Sequence, residues 1–498
     1  MASYRLGEER WIPVETLDGV TRSASLTELF ELSARFRRLL GNPLEVAVLT
    51  RLALAVMHVV DTPSGSTDWL RIWGSRRSLM ERCAQYVRQY SAAFDLYAVE
   101  RPFLQHPGIT EVRGSPALLV YDMAQGNNPV FLDASLVSDP VPIPSDQAAR
   151  ALLVCHAFGG SGTGGNNPLN GGKKDTMYAG PLCARLVALL EGGDLEKTLA
   201  LNLAAASRTG RPAWARDLPK PASQTPSEGV ADLYTRQTRL ARLAPTDDGR
   251  QCKAVALFMG EAVVSDEELG IDPMVPRYLA TDGKFKALRL DPDRALWRSA
   301  DVFLCTKESK GHKPVRCLQQ LTPLIAQGSI PEDEPVSMRL VGVAANAQGP
   351  VTELWRDDSL PFSLSIAADD RFYELLKQRI GQADQTAKNL RNNLFGFAKR
   401  YLSETAGATD PKDAWRLVDE LSPSNHDYWK SLAPLGERLA LPNTGAKWEE
   451  VVSASRKAAW RSAIDRLPAD ARRLKAEYFR EAKAENAAHD QKGGKKTA

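Results

Sequence analysis

The sequence predicts an α+β protein: an irregular mixed region over residues 1–365, then a C-terminal four-helix bundle over 366–498. Three observations carry this. Over the first region, short apolar runs alternate with prolines and glycines, a pattern of short strands and turns. From Ala367 the character changes: Phe372, Leu376, Ile380, Ala387, Leu390, Leu394, Phe397 and Tyr401 recur at helical spacing and form one stripe. Further helical segments follow at Pro411–Leu421, Asp427–Leu439, Ala446–Arg466 and Pro468–Ala488. Long helices with short connections pack as an antiparallel bundle.

Taken in order, Tyr4–Leu17 reads as a strand and turn around Trp11-Ile12-Pro13-Val14. Ser25-x-x-Glu28 is a capping box, predicting a helix that runs toward Leu40. Pro43 opens a second helix, with Leu44, Val48, Leu52, Val56 and Val59 on one face. Residues Asp68–Tyr97 form another helical stretch, broken by Arg101-Pro102-Phe103. Glu111–Pro144 is irregular and strand-like, and Gln147–Phe158 is a helix that ends in a glycine run. Ala254–Met259, Val302–Thr306 and Val336–Ala345 are strand candidates. The tail Lys492–Ala498 is polar and lysine-rich, a composition of disorder.

Composition narrows the function classes. Of 498 residues, 43% are apolar and 25% charged, ordinary for a water-soluble fold. No apolar run is expected to reach the roughly eighteen residues a membrane-spanning helix needs. Met1–Trp11 carries charges where a signal peptide is apolar, so a cytoplasmic protein with no membrane partner is expected. Six cysteines without a C-x-x-C pair argue against a zinc ribbon or a disulfide framework. The net charge of +3 does not announce a nucleic-acid binder, so any such role rests on local patches.

The most unusual segment runs from Phe158 to Lys174 and is dominated by glycine. Without Cβ atoms, such a backbone can approach a phosphate or a base edge closely. A phosphate-binding loop ending Gly172-Lys173 would need Gly where Asn167 stands and Ser or Thr where Lys174 stands. A flexible surface linker and a backbone-mediated ligand loop both remain open for it. The six histidines form no metal-ligand spacing. His58, inside an apolar helix, reads as a core histidine; Cys155 and His156 are adjacent and do not face each other on a helix. No paired acidic motif suggests a two-metal nuclease, so no catalytic residue, cofactor or metal is expected. The remaining enzyme alternative is a nucleotide-dependent one using the glycine loop on phosphate. Basic clusters recur, among them Arg35–Arg38, Lys173-Lys174, Lys284–Arg289 and Lys307–Lys313. Each alone is a solvated face; several on one surface would bind phosphates additively.

Several segments in order resemble the large subunit of the type I-E CRISPR surveillance complex, Cascade (the CasA family). They are Trp11-Ile-Pro-Val14, Arg101-Pro-Phe-Leu-Gln105, the glycine segment, Gly210-Arg-Pro-Ala-Trp214, and Glu353-Leu-Trp-Arg356 before the helical bundle. The resemblance spans nearly the whole chain. It implies a non-enzymatic subunit that binds double-stranded DNA, the guide RNA (crRNA) and other Cascade subunits, and recruits a helicase–nuclease. Carried over by position, Gly159, Gly160, Ser161 and Gly162 would enter the minor groove of the protospacer-adjacent motif (PAM), and Lys284 or Lys286 would assist. Asn346 would be an amide reader, Gln348 a wedge that parts the first base pairs, and Phe131 and Asp133 a crRNA anchor. The cysteine-rich cluster of certain members is absent here. Composition also implies that the glycine loop, and the segment before it, is mobile without nucleic acid.

Overall fold

The computed structural model describes residues 2–120, 141–263, 268–304, 311–331, 333–345, 352–364, 369–407, 410–439, 441 and 447–467. The chain forms two compact units, Met1–Asp370 and Arg371–Ala498.

Among the described residues, the first unit holds five small antiparallel sheets and one long apolar helix, Pro43–Val60, which packs chiefly against the helices Arg76–Gln89, Ser145–Phe158 and Val230–Tyr234. Asn42 caps it: its side chain accepts from the Glu45 amide, Glu45 returns the bond, and Pro43 sits in the first turn. The expectation about apolar runs is corrected here. This helix has 18 residues and a mean hydropathy of 1.7, enough by length and composition to cross a membrane. It is 78% buried inside the fold, which is the position of a core helix. Arg51 lies within it, fully buried, 2.5 Å from Asp272 and stacked 4.2 Å over the Tyr234 ring. His58 is buried as expected, and burial lowers its pKa to about 3.

Strand Ile12–Thr16 pairs with Thr21–Ala24 on one side and Phe36–Leu39 on the other. The helix begun by the Ser25 capping box therefore stops at Glu31 rather than running to Leu40. Phe36 and Leu39 are buried while Arg37 and Arg38 reach out to Leu17 and Glu15, so tertiary pairing overrides the helical reading. Residues 68–97 divide into Ser66–Gly74, Arg76–Gln89 and a short 3-10 turn. A long hairpin, Ser337–Ala345 with Thr352–Pro361, adds Leu186–Glu191 to its first strand. Arg239–Pro245 pairs with Gln251–Met259. Of the strand expected at Val302–Thr306, Val302 and Phe303 lie instead in the one-turn helix Ala300–Phe303, since so short an apolar run has no periodicity with which to decide, and residues 305 and 306 lie outside the described residues.

Three of the motifs behind the family resemblance are packing devices. Trp11 is fully buried and donates its indole N–H to Leu6 (2.8 Å). Phe103 and Trp214 stack at 6.3 Å, with Phe94 against both. The buried Gln105 amide donates to the Leu96 carbonyl (2.7 Å) and accepts from the Leu243 amide (2.8 Å). Five described cysteines, 83, 155, 183, 252 and 317, are buried and reduced.

The second unit contains the helices Asp370–Ala406, Pro411–Leu421, His426–Gly436 and Trp448–Asp465. The expected stripe is buried from Leu376 to Phe397, and Tyr428 donates its hydroxyl to Ala383 (3.1 Å). Asn425, at φ 55°, donates to Ala387 (2.9 Å), and the Phe397 and Trp460 rings meet edge to face at 6.2 Å. The expected helix Pro468–Ala488 lies outside the described residues.

Candidate nucleic-acid interface

The helix Ser145–Phe158 ends at Gly159, and the glycine segment that follows is a paired element rather than an open loop. It forms a hairpin in which Gly162–Asn167 pairs with Lys173–Met177. Glycine, threonine and asparagine in a row give no apolar alternation to betray a strand; the pairing is imposed by what lies beneath it. Asp175 is buried, and its Oδ2 accepts from the Met259 amide (2.7 Å) and from the Asn167 side-chain amide (2.9 Å). One carboxylate thus ties the second strand to the first and to the neighbouring strand Gln251–Met259. Asn167 in turn accepts from the Leu169 amide (2.9 Å) and shapes the turn, where Gly171 and Gly172 take positive φ (62° and 72°).

The exposed residues of the hairpin alternate between glycines and short polar side chains, among them Asn166 and Thr176. Gly162, Gly165, Gly171 and Gly172 are exposed, as are Thr163, Lys173 and Lys174. A Cβ at Gly162 would meet nothing within 4 Å, whereas one at Gly164 would press on Asp175 and Met177 at 3.0 Å. The hairpin therefore presents a glycine-rich backbone ridge with small polar side chains, and Lys173 and Lys174 stand together at the start of its second strand.

Its root is rigid. Arg239, 3% exposed, donates to the carbonyls of Gly160 (2.8 Å) and Tyr178 (2.9 Å), one on each side of the hairpin. A Cβ on Gly159 would sit 2.5 Å from the Cys155 carbonyl and 2.8 Å from Arg239 Nη2, so glycine is required there for close approach. The Gly180 amide closes the root on the Gly159 carbonyl (2.7 Å). Beneath it, His156 is buried: Nδ1 accepts from the Arg239 amide (3.3 Å), leaving Nε2–H to donate to the Leu104 carbonyl (2.9 Å). Burial lowers its pKa to about 4, and burial raises that of Cys155. Both residues hold the root in neutral form; neither is placed as a catalytic pair.

Of the residues singled out from sequence, Gly159, Gly160, Ser161 and Gly162 are contiguous at this root and first strand. Lys284 and Lys286 stand on a separate sheet of Arg277–Leu279, Phe285–Ala287 and His312–Lys313. Lys284 is exposed beside the Gly283 turn, and Lys286 Nζ lies 2.7 Å from Asp282. Lys313 lies 5.0 Å over the Phe285 ring on the same sheet. Phe131, Asp133, Asn346 and Gln348 lie outside the described residues. Among the described residues no group of three or more His, Cys, Asp or Glu is arranged to hold a metal. Sequence reasoning missed Arg239 and Asp175, whose partners are remote in the chain.

The family model for CRISPR-associated protein Cse1 matches residues 6–471. The curated CRISPR-associated protein CasA/Cse1 of Thermus thermophilus is 28% identical over 505 residues, covering 96% of this chain and 95% of that protein. Among solved structures, Thermobifida fusca Cse1 is 25% identical with a TM-score of 0.73, covering 97% of this chain and 94% of its own. A chain of a CRISPR RNA-guided surveillance complex, 21% identical, has a TM-score of 0.66, covering 92% of this chain and 100% of its own.

Proposed function

Because the chain belongs to the CRISPR-associated protein Cse1 family, we propose that it is the DNA-binding large subunit of an RNA-guided antiviral surveillance complex. In this reading it works in the cytoplasm with crRNA and the other Cascade subunits. It recognises PAM from the minor groove, helps start duplex unwinding and R-loop formation, and recruits a helicase–nuclease without cutting DNA itself. The observation that carries the proposal is the exposed glycine hairpin on its clamped root. A minor groove about 6 Å wide admits a backbone more readily than side chains, and its degenerate donor–acceptor pattern gives tolerant reading. Exposed Lys173 and Lys174 on the same hairpin suit the flanking phosphates.

Within this proposal Gly159–Gly162 approach the bases, Lys284 or Lys286 contributes from its sheet, and Asn346 reads a base edge. Gln348 wedges between base pairs, an unstacking of about a few kcal/mol per step that protein–DNA contacts offset. Guide pairing then begins beside the PAM. Phe131 and Asp133 anchor the subunit on crRNA. The competing nucleotide-enzyme reading fits the geometry poorly. A phosphate loop precedes a helix and uses its N-terminal amides, whereas this glycine run follows the C-terminal end of Ser145–Phe158.

The test is reconstitution with partner subunits, crRNA and PAM-containing duplex, comparing the wild type with Gly160→Leu. The expected result is normal incorporation with target affinity reduced by about tenfold or more, equivalent to about 1.4 kcal/mol. Wild-type target affinity in Gly160→Leu, or ATP hydrolysis by the isolated subunit with Mg²⁺, would overturn the reading.

A further inference from the structure

We infer that Arg239 is a positioning residue for duplex recognition: its guanidinium fixes the exit and return of the glycine hairpin, and so sets the ridge offered to the minor groove. The inference rests on the hairpin being the duplex-contacting element. Three observations support it. First, the fork spans the root, with Nη2 on the Gly160 carbonyl at 2.8 Å and Nη1 on the Tyr178 carbonyl at 2.9 Å. These two carbonyls flank the paired segment Gly162–Met177, so one side chain holds both legs. Second, the fork is buried at 3% exposure and lies where Gly159 leaves room for it; a Cβ there would come within 2.8 Å of Nη2. Third, its backbone is itself held, through the Arg239 amide on His156 Nδ1 and the Thr238 hydroxyl on the His156 carbonyl (2.7 Å). The helix that delivers the glycines is thereby locked to the strand that carries the clamp.

An arginine suits this task because its planar fork offers several donors in fixed geometry, whereas a lysine ammonium is a single flexible point. A lysine at 239 keeps the charge and reaches one carbonyl, leaving the other leg of the hairpin untied. The damage then falls on the order of the ridge rather than on the phosphate binding of Lys173 and Lys174. Duplex recognition and general duplex affinity should therefore separate.

The test uses the reconstituted complex with Arg239→Lys, Arg239→Met and, in parallel, Gly160→Leu. Amide exchange of residues 160–178, melting temperature, incorporation, and affinity for PAM-containing and PAM-lacking duplexes are measured for each. For Arg239→Lys we expect at least tenfold faster exchange confined to 160–178. Affinity for the PAM duplex should fall several-fold, while that for the PAM-lacking duplex and incorporation stay unchanged. Arg239→Met should show the larger effect; if it fails to fold, Arg239→Lys alone decides. A uniform loss on both duplexes that tracks the melting temperature would reduce Arg239 to a fold-stabilising role and overturn the inference. So would wild-type exchange and discrimination in Arg239→Lys. If Gly160→Leu loses PAM binding while Arg239→Lys keeps it, the hairpin reading stands and only this inference fails. If Gly160→Leu also binds normally, the hairpin reading itself falls.

Discussion

Replacing Asp175 with alanine should detach the glycine hairpin while leaving the rest of the first unit folded. Its Oδ2 is the shared acceptor for the Met259 amide at 2.7 Å and the Asn167 side-chain amide at 2.9 Å, and all three residues are buried. Truncation strands both donors away from water, at about 1–3 kcal/mol each, so a total of about 2–6 kcal/mol falls on this attachment. That is comparable to the local opening free energy of a peripheral hairpin, which spans from near zero up to the global value of about 5–15 kcal/mol. The neutral isostere separates the terms. In Asp175→Asn the amide oxygen can accept both bonds, while its NH₂ takes the position of Oδ1, which is buried without a partner. That variant should lose only about 1–2 kcal/mol. Hydrogen exchange of residues 162–177, read beside urea unfolding, is the assay. Exchange close to the unprotected rate in Asp175→Ala, with intermediate protection in Asp175→Asn, is the expected order. Protection in Asp175→Ala equal to wild type would refute the claim that this carboxylate holds the hairpin.

Other predictions follow from the same geometry. His58 and His156 are buried with pKa values lowered to about 3 and about 4, below an ordinary value of 6.5. The unfolded chain thus binds more protons, so their contribution is complete above about pH 6.5 and is lost as pH falls toward those values. Unfolding free energy should rise between about pH 4.5 and 6.5, and His58→Gln should remove about one proton of uptake from that slope; an unchanged slope would contradict it. Asp272→Ala leaves the Arg51 guanidinium buried without its carboxylate and should cost about 3–5 kcal/mol in urea unfolding, whereas Arg51→Met with Asp272→Leu should cost much less. Equal losses in the single and double variants would show that the charge is not what makes the single variant costly. Lys173→Gln with Lys174→Gln should lower the slope of log affinity against log salt by about 0.9 for each phosphate no longer neutralised; an unaltered slope would remove both lysines from the interface.

Local signals explain what could be read from the sequence. Pro43 after a capping residue, the Ser25 box, and the stripe from Leu376 to Phe397 are decided within a few residues, and each recurs in the structure. Pro411–Leu421 matches to the residue, because Asp410 caps its start and a proline occupies its first turn. The bundle is legible for that reason. The sheets are harder. Leu186–Leu190 is an unbroken, fully buried apolar run with no alternation, and Phe36–Leu39 joins a sheet only because Ile12–Thr16 offers it an edge.

The candidate site divides in the same way. Its glycine content is visible at once, since so many residues without side chains are unusual. Its hairpin geometry is not, because pairing depends on Asp175 reaching Met259, 84 residues away. Arg239 is illegible for a related reason: it binds carbonyls 79 and 61 residues earlier in the chain, and a carbonyl carries no residue identity. Sequence thus identifies the material of the ridge, and tertiary structure supplies its mounting.

The most direct measurement is a structure of the assembled complex, with crRNA and partner subunits, bound to PAM-containing duplex. In that structure the backbone of Gly160–Gly162 should lie in the minor groove within hydrogen-bonding reach of base edges, with Arg239 still on the Gly160 and Tyr178 carbonyls. A duplex that passes elsewhere, leaving this ridge in solvent, would contradict it.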